Sequence, residues 1–399
     1  MHRARILLIA LCAVGAAASM SSVLAVGQGN DLLPDIPAGS VGMRLELVTT
    51  ISPNVLIDVT NAGDGSGRLF LVSPDGVVRI LVSGSVLPTP FLNDPATPTD
   101  RAMSSIAFHP DYANNGLLYA ITGEATSGSP DYDSPQDDAA SAFDNVIYEY
   151  RVDSVDPNVV DLSSKRELLR VHQPHRVHNL GDLTFGHDGY LYISSGDGGD
   201  TRLGTPTQYN TTAQQTTNPY GAILRIDVDQ QPGGAAYGIP TDNPFADGAG
   251  GNAPEIYAWG LRNPWRITTD RLTGDLYTGV NGDLTIEQID RLQLGRNYGW
   301  DTKEGSFLWD SLTGAATVDP TPDPQYTAPT AEYDHNHTTV AFGSQIGGFV
   351  YRGLAMPEFW GQYIGLDWRA AQMTAMDPTD GAPRPAGAIP CLPRLMGPC

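Results

Sequence analysis

The residues best suited to chemistry fall in two short blocks. The first runs His178-Asn179-Leu180-Gly181-Asp182-Leu183-Thr184-Phe185-Gly186 and continues to Gly196-Asp197-Gly198-Gly199-Asp200. It places a histidine ahead of one strand-like run and a carboxylate in a glycine-rich turn after the next. A neutral imidazole can take a proton from an alcohol near neutral pH, and a neighbouring carboxylate fixes its tautomer and raises its basicity. His178 and Asp197 are therefore candidates for a general base and its support, with a structural or solvated histidine as the plain alternative. His172, His175 and His178 also form an H-x2-H-x2-H run. No cysteine or fourth ligand at a structural-site spacing accompanies it, which argues against zinc. The second block is Tyr257-Ala258-Trp259-Gly260-Leu261-Arg262-Asn263-Pro264-Trp265-Arg266, followed by Asn297-Tyr298-Gly299-Trp300. Proline restricts the residue before it, so Arg262 and Asn263 sit where the chain leaves a strand and turns. Presented there, they could grip a carboxylate or polarise a carbonyl oxygen. Equally, Arg262 could bond backbone carbonyls and lay its stem on aromatic rings. All six tryptophans lie between Trp259 and Trp368, and most are expected to pack between structural elements.

The elements that must position these residues are strands. A turn built on Asp, Asn and Gly recurs ahead of β-rich runs: Ser73-Pro74-Asp75-Gly76 before Val77 to Val82, Asn114-Asn115-Gly116 before Leu117 to Ile121, His187-Asp188-Gly189 before Tyr190 to Ser194, and Leu272-Thr273-Gly274-Asp275 before Leu276 to Gly279. Ile346 to Arg352 reads as a further strand. Asp-Gly and Asn-Gly pairs suit the positive φ of tight hairpins, and the flanks suit a pleated sheet. Helical periodicity is hard to find. Ala107-Phe108-His109-Pro110-Asp111 and Thr184-Phe185-Gly186-His187-Asp188 are near-matching text in two units. Degenerate repetition of short strands predicts an all-β fold, a six-bladed β-propeller of four-stranded antiparallel blades, with a β-sandwich as the structural alternative.

Composition bounds the partners and the compartment. The 399 residues carry 23 Lys plus Arg against 45 Asp plus Glu, a formal net charge of −22. With no basic cluster, binding to nucleic acid or to anionic membrane surfaces is disfavoured, while acidic loops remain able to hold cations. His2, Arg3 and Arg5 precede an apolar stretch from Ile6 to about Ala18, and Val23-Leu24-Ala25 offers a small-residue cleavage site. This reads as a secretory signal peptide over 1–25, predicting a secreted or periplasmic protein with no membrane insertion. A linker over 26–43, the propeller over 44–378 and a Pro-rich tail over 379–399 complete the expected organisation. Cys391 and Cys399 could pair within that tail in an oxidising compartment.

Together the blocks resemble the glucose/sorbosone dehydrogenase family, six-bladed propellers that include soluble aldose sugar dehydrogenases dependent on pyrroloquinoline quinone (PQQ). The similarity runs from Asp64-Gly65-Ser66-Gly67-Arg68-Leu69-Phe70 through the His178 block, Ile223-Leu224-Arg225-Ile226-Asp227-Val228-Asp229, Asp242-Asn243-Pro244-Phe245 and the Arg262 block to Gly347-Gly348-Phe349-Val350-Tyr351-Arg352-Gly353. The resemblance implies oxidation of a sugar's anomeric hydroxyl to a lactone, with His178 as base, Asp197 supporting it, and hydride passing to the quinone. It also implies Arg262 and Asn263 on quinone oxygens, Arg352 on a PQQ carboxylate, Arg369 as a looser match for another such contact, and an external electron acceptor. Gly282 would help bind calcium on the quinone, and Asp283, Gln288 and Tyr298 complete the calcium-related positions.

The sequence departs from the family pattern at three places. Gly279-Val280-Asn281-Gly282-Asp283 lacks the usual acidic residue or Gln ahead of glycine. Gln288 stands ten residues before Tyr298 where a Glu helps hold a structural calcium, and a neutral amide is a poorer calcium ligand. Asp100-Arg101-Ala102-Met103-Ser104-Ser105 replaces the usual glycine- and leucine-rich loop. These departures keep two other readings open. One is a non-catalytic propeller binding carbohydrate or protein through the same mouth, and the other a calcium-dependent lactonase-like hydrolase.

Overall fold

A computed structural model describes residues 32, 33, 36 and 47–389, apart from 52–54, 95–102, 127–128, 135–142, 200–211, 311–312, 336–342, 371 and 382. The expected signal peptide, most of the linker, Asp200, the Asp100 end of the altered loop, and Cys391 and Cys399 lie outside the described residues.

The hairpin text folds as strands. Val77–Val82, Leu117–Glu124, Leu191–Ser195, Leu276–Val280 and Gln345–Val350 all form where turn residues release the chain into β-branched and aromatic runs. Gly76, Gly189 and Gly274 take positive φ in these turns, as a tight reversal requires. One turn differs: Tyr112–Asn115 closes into a single helical turn, with Gly116 as its left-handed cap.

The strands form six antiparallel sheets among the described residues. Five are successive blades, beginning with Asp58–Thr60, Met103–Phe108, Leu180–Phe185, Pro264–Thr269 and Gln345–Val350. The first blade has five strands, because Leu92–Asn93 also pairs with Val77–Val82, and the other four have four each. The sixth sheet, Lys303–Glu304, Phe307–Asp310 and Ala315–Thr317, has three strands. It is inserted between the third and fourth strands of the fourth blade, Ile286–Leu292 and Ala331–Asp334. The fold is thus an all-β propeller, with one of its six sheets smaller and nested inside another blade's connection.

The first strands of the first to fifth blades pack side by side in sequence order. Apolar layers fill the gaps between blades: Phe70, Val78, Phe91, Ile106 and Val146 between the first and second, and Leu169, Leu180, Ile193 and Leu224 between the second and third. Arg266, two residues into the first strand of the fourth blade, holds these strands at the axis. It donates to the carbonyls of Ser104 and Gly181 at 3.2 and 3.3 Å, to the Ile57 carbonyl, and to Asp182 at 3.1 Å. Asp182 also accepts from Ser105 Oγ at 2.5 Å and from the Ile267 N–H. Four blades therefore share one guanidinium, which with its buried carboxylate partner forms a charge-assisted network.

Candidate functional site

Every blade's first strand starts at the end where its second strand finishes, so residues before the former and after the latter meet. His178 precedes Leu180–Phe185, and Asp197 follows Leu191–Ser195. Their side chains meet, with His178 Nδ1 2.6 Å from Asp197 Oδ1. The pair is largely enclosed, with 10% of the imidazole and 1% of the carboxylate side chain accessible. Nε2 of His178 makes no hydrogen bond among the described residues and is the nitrogen left for a ligand.

The backbone is built around this contact. His178 has φ 57°, a left-handed conformation uncommon for a residue with a Cβ. It is held there because the Gly198 N–H donates to the His178 carbonyl at 3.1 Å and the Gly196 N–H to the Asn179 carbonyl at 3.0 Å. A Cβ on Gly196 would lie 2.5 Å from the His178 carbonyl carbon, so only glycine lets the two turns touch. A strained residue held by its surroundings is typical of a preorganised site.

Asp197 is gripped from its other side. Trp300 Nε1 donates to Asp197 Oδ2 at 2.8 Å, and the Trp300 ring packs on Trp309 at 4.4 Å between centroids. Most tryptophans were expected as packing, and Trp300 is in addition the partner that orients the carboxylate. Asp301, next in the chain, has its carboxyl pushed up to about 6, first by burial and then by the Asp197 charge.

Arg262 and Asn263 arrive at the same end of the fourth blade. The Arg262 carbonyl accepts from the Asp197 N–H at 2.8 Å, and its guanidinium lies 5.4 Å from the Trp300 ring centroid. That guanidinium donates to the Gly282 carbonyl at 2.5 Å and to Asp283 Oδ1 at 3.1 Å. Asn263 Nδ2 donates to Asn281 Oδ1 at 3.0 Å. Arg262 Nε and Asn263 Oδ1 are buried without a partner. Such orphaned atoms are costly unless something else satisfies them.

The calcium expectation fits less well. The Gly282 carbonyl and Asp283 both accept from the Arg262 guanidinium. Gln288 instead donates to Asp290 at 2.7 Å and accepts from the Gly305 N–H at 2.9 Å. The Tyr298 hydroxyl donates to the Arg291 carbonyl at 2.7 Å. No group of three or more His, Cys, Asp or Glu among the described residues is arranged to hold a metal. Gly282 and Asp283 thus lie against Arg262, while Gln288 and Tyr298 are hydrogen-bonded within the fourth blade.

Arg352 is the clearest departure from expectation. It follows Gln345–Val350, so the strand carries it to the opposite end of the fifth blade from His178. There it makes a bidentate pair with Asp270, at 2.9 and 2.5 Å, after the fourth blade's first strand. Arg369 follows Tyr363–Asp367 and stays at the His178 end, exposed, with its side chain beside Gly343. His335, which had no part in the sequence reading, also lies at this end. Burial lowers its basicity, but the 2.9 Å contact to Glu287 outweighs that and holds it above the ordinary imidazole value.

The sequence matches the Glucose / Sorbosone dehydrogenase family over residues 57–380. The chain belongs to the glucose/sorbosone dehydrogenase family. It is 31% identical to the HIPL2 protein of Arabidopsis thaliana, over 84% of this chain and 53% of that one. It is 30% identical to the Hedgehog-interacting protein of Homo sapiens, over 77% and 40%, and 25% identical to quinoprotein glucose dehydrogenase B of Acinetobacter calcoaceticus, over 60% and 47%. The chain thus spans about half the length of the curated relatives it matches. Its fold is shared with the soluble aldose sugar dehydrogenase of Escherichia coli, solved in the apo form, at a TM-score of 0.59 and 19% identity, covering 82% of this chain and 84% of that one.

Proposed function

We propose that this family member is a PQQ-dependent oxidoreductase that oxidises the anomeric hydroxyl of an aldose. The observation that carries the reading is the chain Trp300–Asp197–His178, which ends in an open Nε2. Asp197 holds the Nδ1 proton, so Nε2 presents its lone pair and can accept the hydroxyl proton. Trp300 keeps Asp197 from rotating away. Arg262 Nε, a buried donor without a partner, fits a ligand carbonyl oxygen beside that base, and Asn263 Oδ1, a buried acceptor without a partner, fits a ligand N–H or O–H. Arg369, exposed at this end, is a cation that suits a carboxylate. When bound, PQQ supplies the hydride acceptor. The protein's own part is to orient the sugar, hold the proton on His178 and exclude water.

A second reading is favoured by one observation. Arg262 is already committed to Asp283 and Gly282, and Arg352 is absent from the mouth, so fewer cations face a tri-anionic cofactor. A propeller that binds a protein through this mouth would have those features, and the Hedgehog-interacting relative is a precedent by name. The test is to load purified protein with PQQ, with and without calcium, and to follow dye reduction across a panel of aldoses. Stoichiometric quinone binding with aldose-dependent reduction supports the enzyme. Absence of both leaves the protein-binding reading.

A further inference from the structure

A second cleft lies at the far end of the fourth and fifth blades, the length of a six-residue strand, roughly 20 Å, from the His178 cluster. It encloses about 540 Å³, within the range of small-ligand sites. Its walls come from the Thr269–Leu272 turn, from Phe349 to Gly353 and from Trp360. Three large apolar side chains around it are exposed: Phe349 at 52%, Trp360 at 49% and Leu272 at 61%.

The polar part is ordered. Asp270, almost fully buried, receives both Arg352 bonds, the Leu272 N–H and the Thr273 hydroxyl. Burial alone would raise its carboxyl, but these bonds hold it below the ordinary value. Arg352, fixed in this way, lies 4.8 Å from the Trp360 ring centroid and pins one face of the indole. The other acid of this hairpin, Asp275, is paired with Arg291 at 2.7 Å. Arg271 is exposed on the same turn and makes no ion pair among the described residues. In a chain of net charge −22, this is a local positive centre beside two aromatic shelves.

We propose that this cleft binds an acidic saccharide, a pyranose carrying a carboxylate. Aromatic faces are electron-rich and receive the polarised C–H face of a pyranose, so Trp360 and Phe349 supply the stacking surface. Arg271 supplies a planar fork for the carboxylate, which a neutral sugar cannot use. Thr268 of the wall and the remaining Arg352 donor are left for ring hydroxyls, the Thr269 hydroxyl being spent on the Phe185 carbonyl. The site is independent of chemistry at the mouth, since no residue is shared.

The test is calorimetric titration of the full chain with trigalacturonate, with maltotriose and inorganic sulfate as controls. Saturable binding of trigalacturonate, at least tenfold tighter than either control, is expected. Arg271→Gln should bring trigalacturonate to within threefold of maltotriose, Trp360→Ala should weaken it at least tenfold, and His178→Ala should leave it unchanged. The proposal is overturned by no saturable binding, by equal affinity for sulfate, or by binding insensitive to Arg271→Gln and Trp360→Ala. It is also overturned if sedimentation shows self-association that Trp360→Ala abolishes, because a second copy would then fill the cleft.

Discussion

The two ends of the fourth and fifth blades carry the same three residue types in different roles. At the mouth, Arg262 pairs with Asp283 beside Trp300; at the far end, Arg352 pairs with Asp270 beside Trp360. The difference lies in what the tryptophan does next. Trp300 is 3% exposed and spends its N–H on Asp197, which in turn holds His178. Trp360 is half exposed and turns its free face to solvent. An Arg–Asp–Trp group therefore says little about chemistry until its burial and its next partner are known. Buried and relayed, it orients a base; open and aromatic, it offers a surface.

Substitutions can separate the two ends, and the largest effect belongs to the relay. Asp197→Asn removes the anionic partner of His178 while keeping its shape. Turnover of the quinone-loaded protein should fall on the order of 10²–10⁴-fold, the worth of general base catalysis, with trigalacturonate binding at the far end intact. Gly196→Ala comes next. Its Cβ collides with the His178 backbone, so steady-state activity should drop at least tenfold and the melting temperature should fall by several degrees. A variant as active as the parent would mean the two turns are not in contact. Trp300→Phe keeps the stack on Trp309 but deletes the bond to Asp197. An orphaned buried acceptor costs about 1–3 kcal/mol of stability, so the melting temperature should fall by a few degrees, and kcat should fall because Asp197 is no longer held against His178.

A smaller effect distinguishes the packing between the ends. Burial pushes the Asp290 carboxyl up to about 7, with Gln288 pulling it down and Glu332 adding to the rise. A folded value above the unfolded ~3.9 means that the neutral acid is favoured in the fold. Its stabilisation is therefore complete below about pH 4 and is lost as pH rises towards 7. Asp58 and Asp301, each raised to about 6, act in the same direction. Melting temperature should decline over this window, and Asp290→Asn should flatten the decline between pH 6 and 7. An unchanged profile would show that Asp290 is solvated. Smallest of all, Arg352→Gln should shift the melting temperature by only a few degrees and leave mouth chemistry untouched, because its partner lies at the other end.

The fold was legible where the signal is local. Asp-Gly and Asn-Gly turns before β-branched runs need only a few neighbouring residues, and they mark the observed strands to within three residues, the largest miss being Leu117–Glu124, read as ending at Ile121. His178 and Asp197 were readable for a related reason, since one hairpin brings them together. Trp300 was not, because its partner lies 103 residues away and an indole reads first as core. Arg266 was hidden likewise, since its four blade contacts exist only once an axis forms. Arg352 shows the opposite failure. Its residue type and surrounding text matched a cofactor contact, yet strand direction puts it at the wrong end. Gly282 and Asp283 were read as calcium-related positions, and their contacts to Arg262, twenty and twenty-one residues earlier in the chain, could not be read from spacing.

The central claim is that His178, held by Asp197 and Trp300, is the base of a quinone-dependent sugar oxidation. The most direct measurement compares parent and His178→Ala proteins, each loaded with PQQ, for quinone binding and aldose-dependent dye reduction in the same sample. The account predicts equal quinone binding in both and turnover only in the parent. Turnover retained by His178→Ala, or a parent that binds quinone and reduces no dye with any aldose, would contradict it.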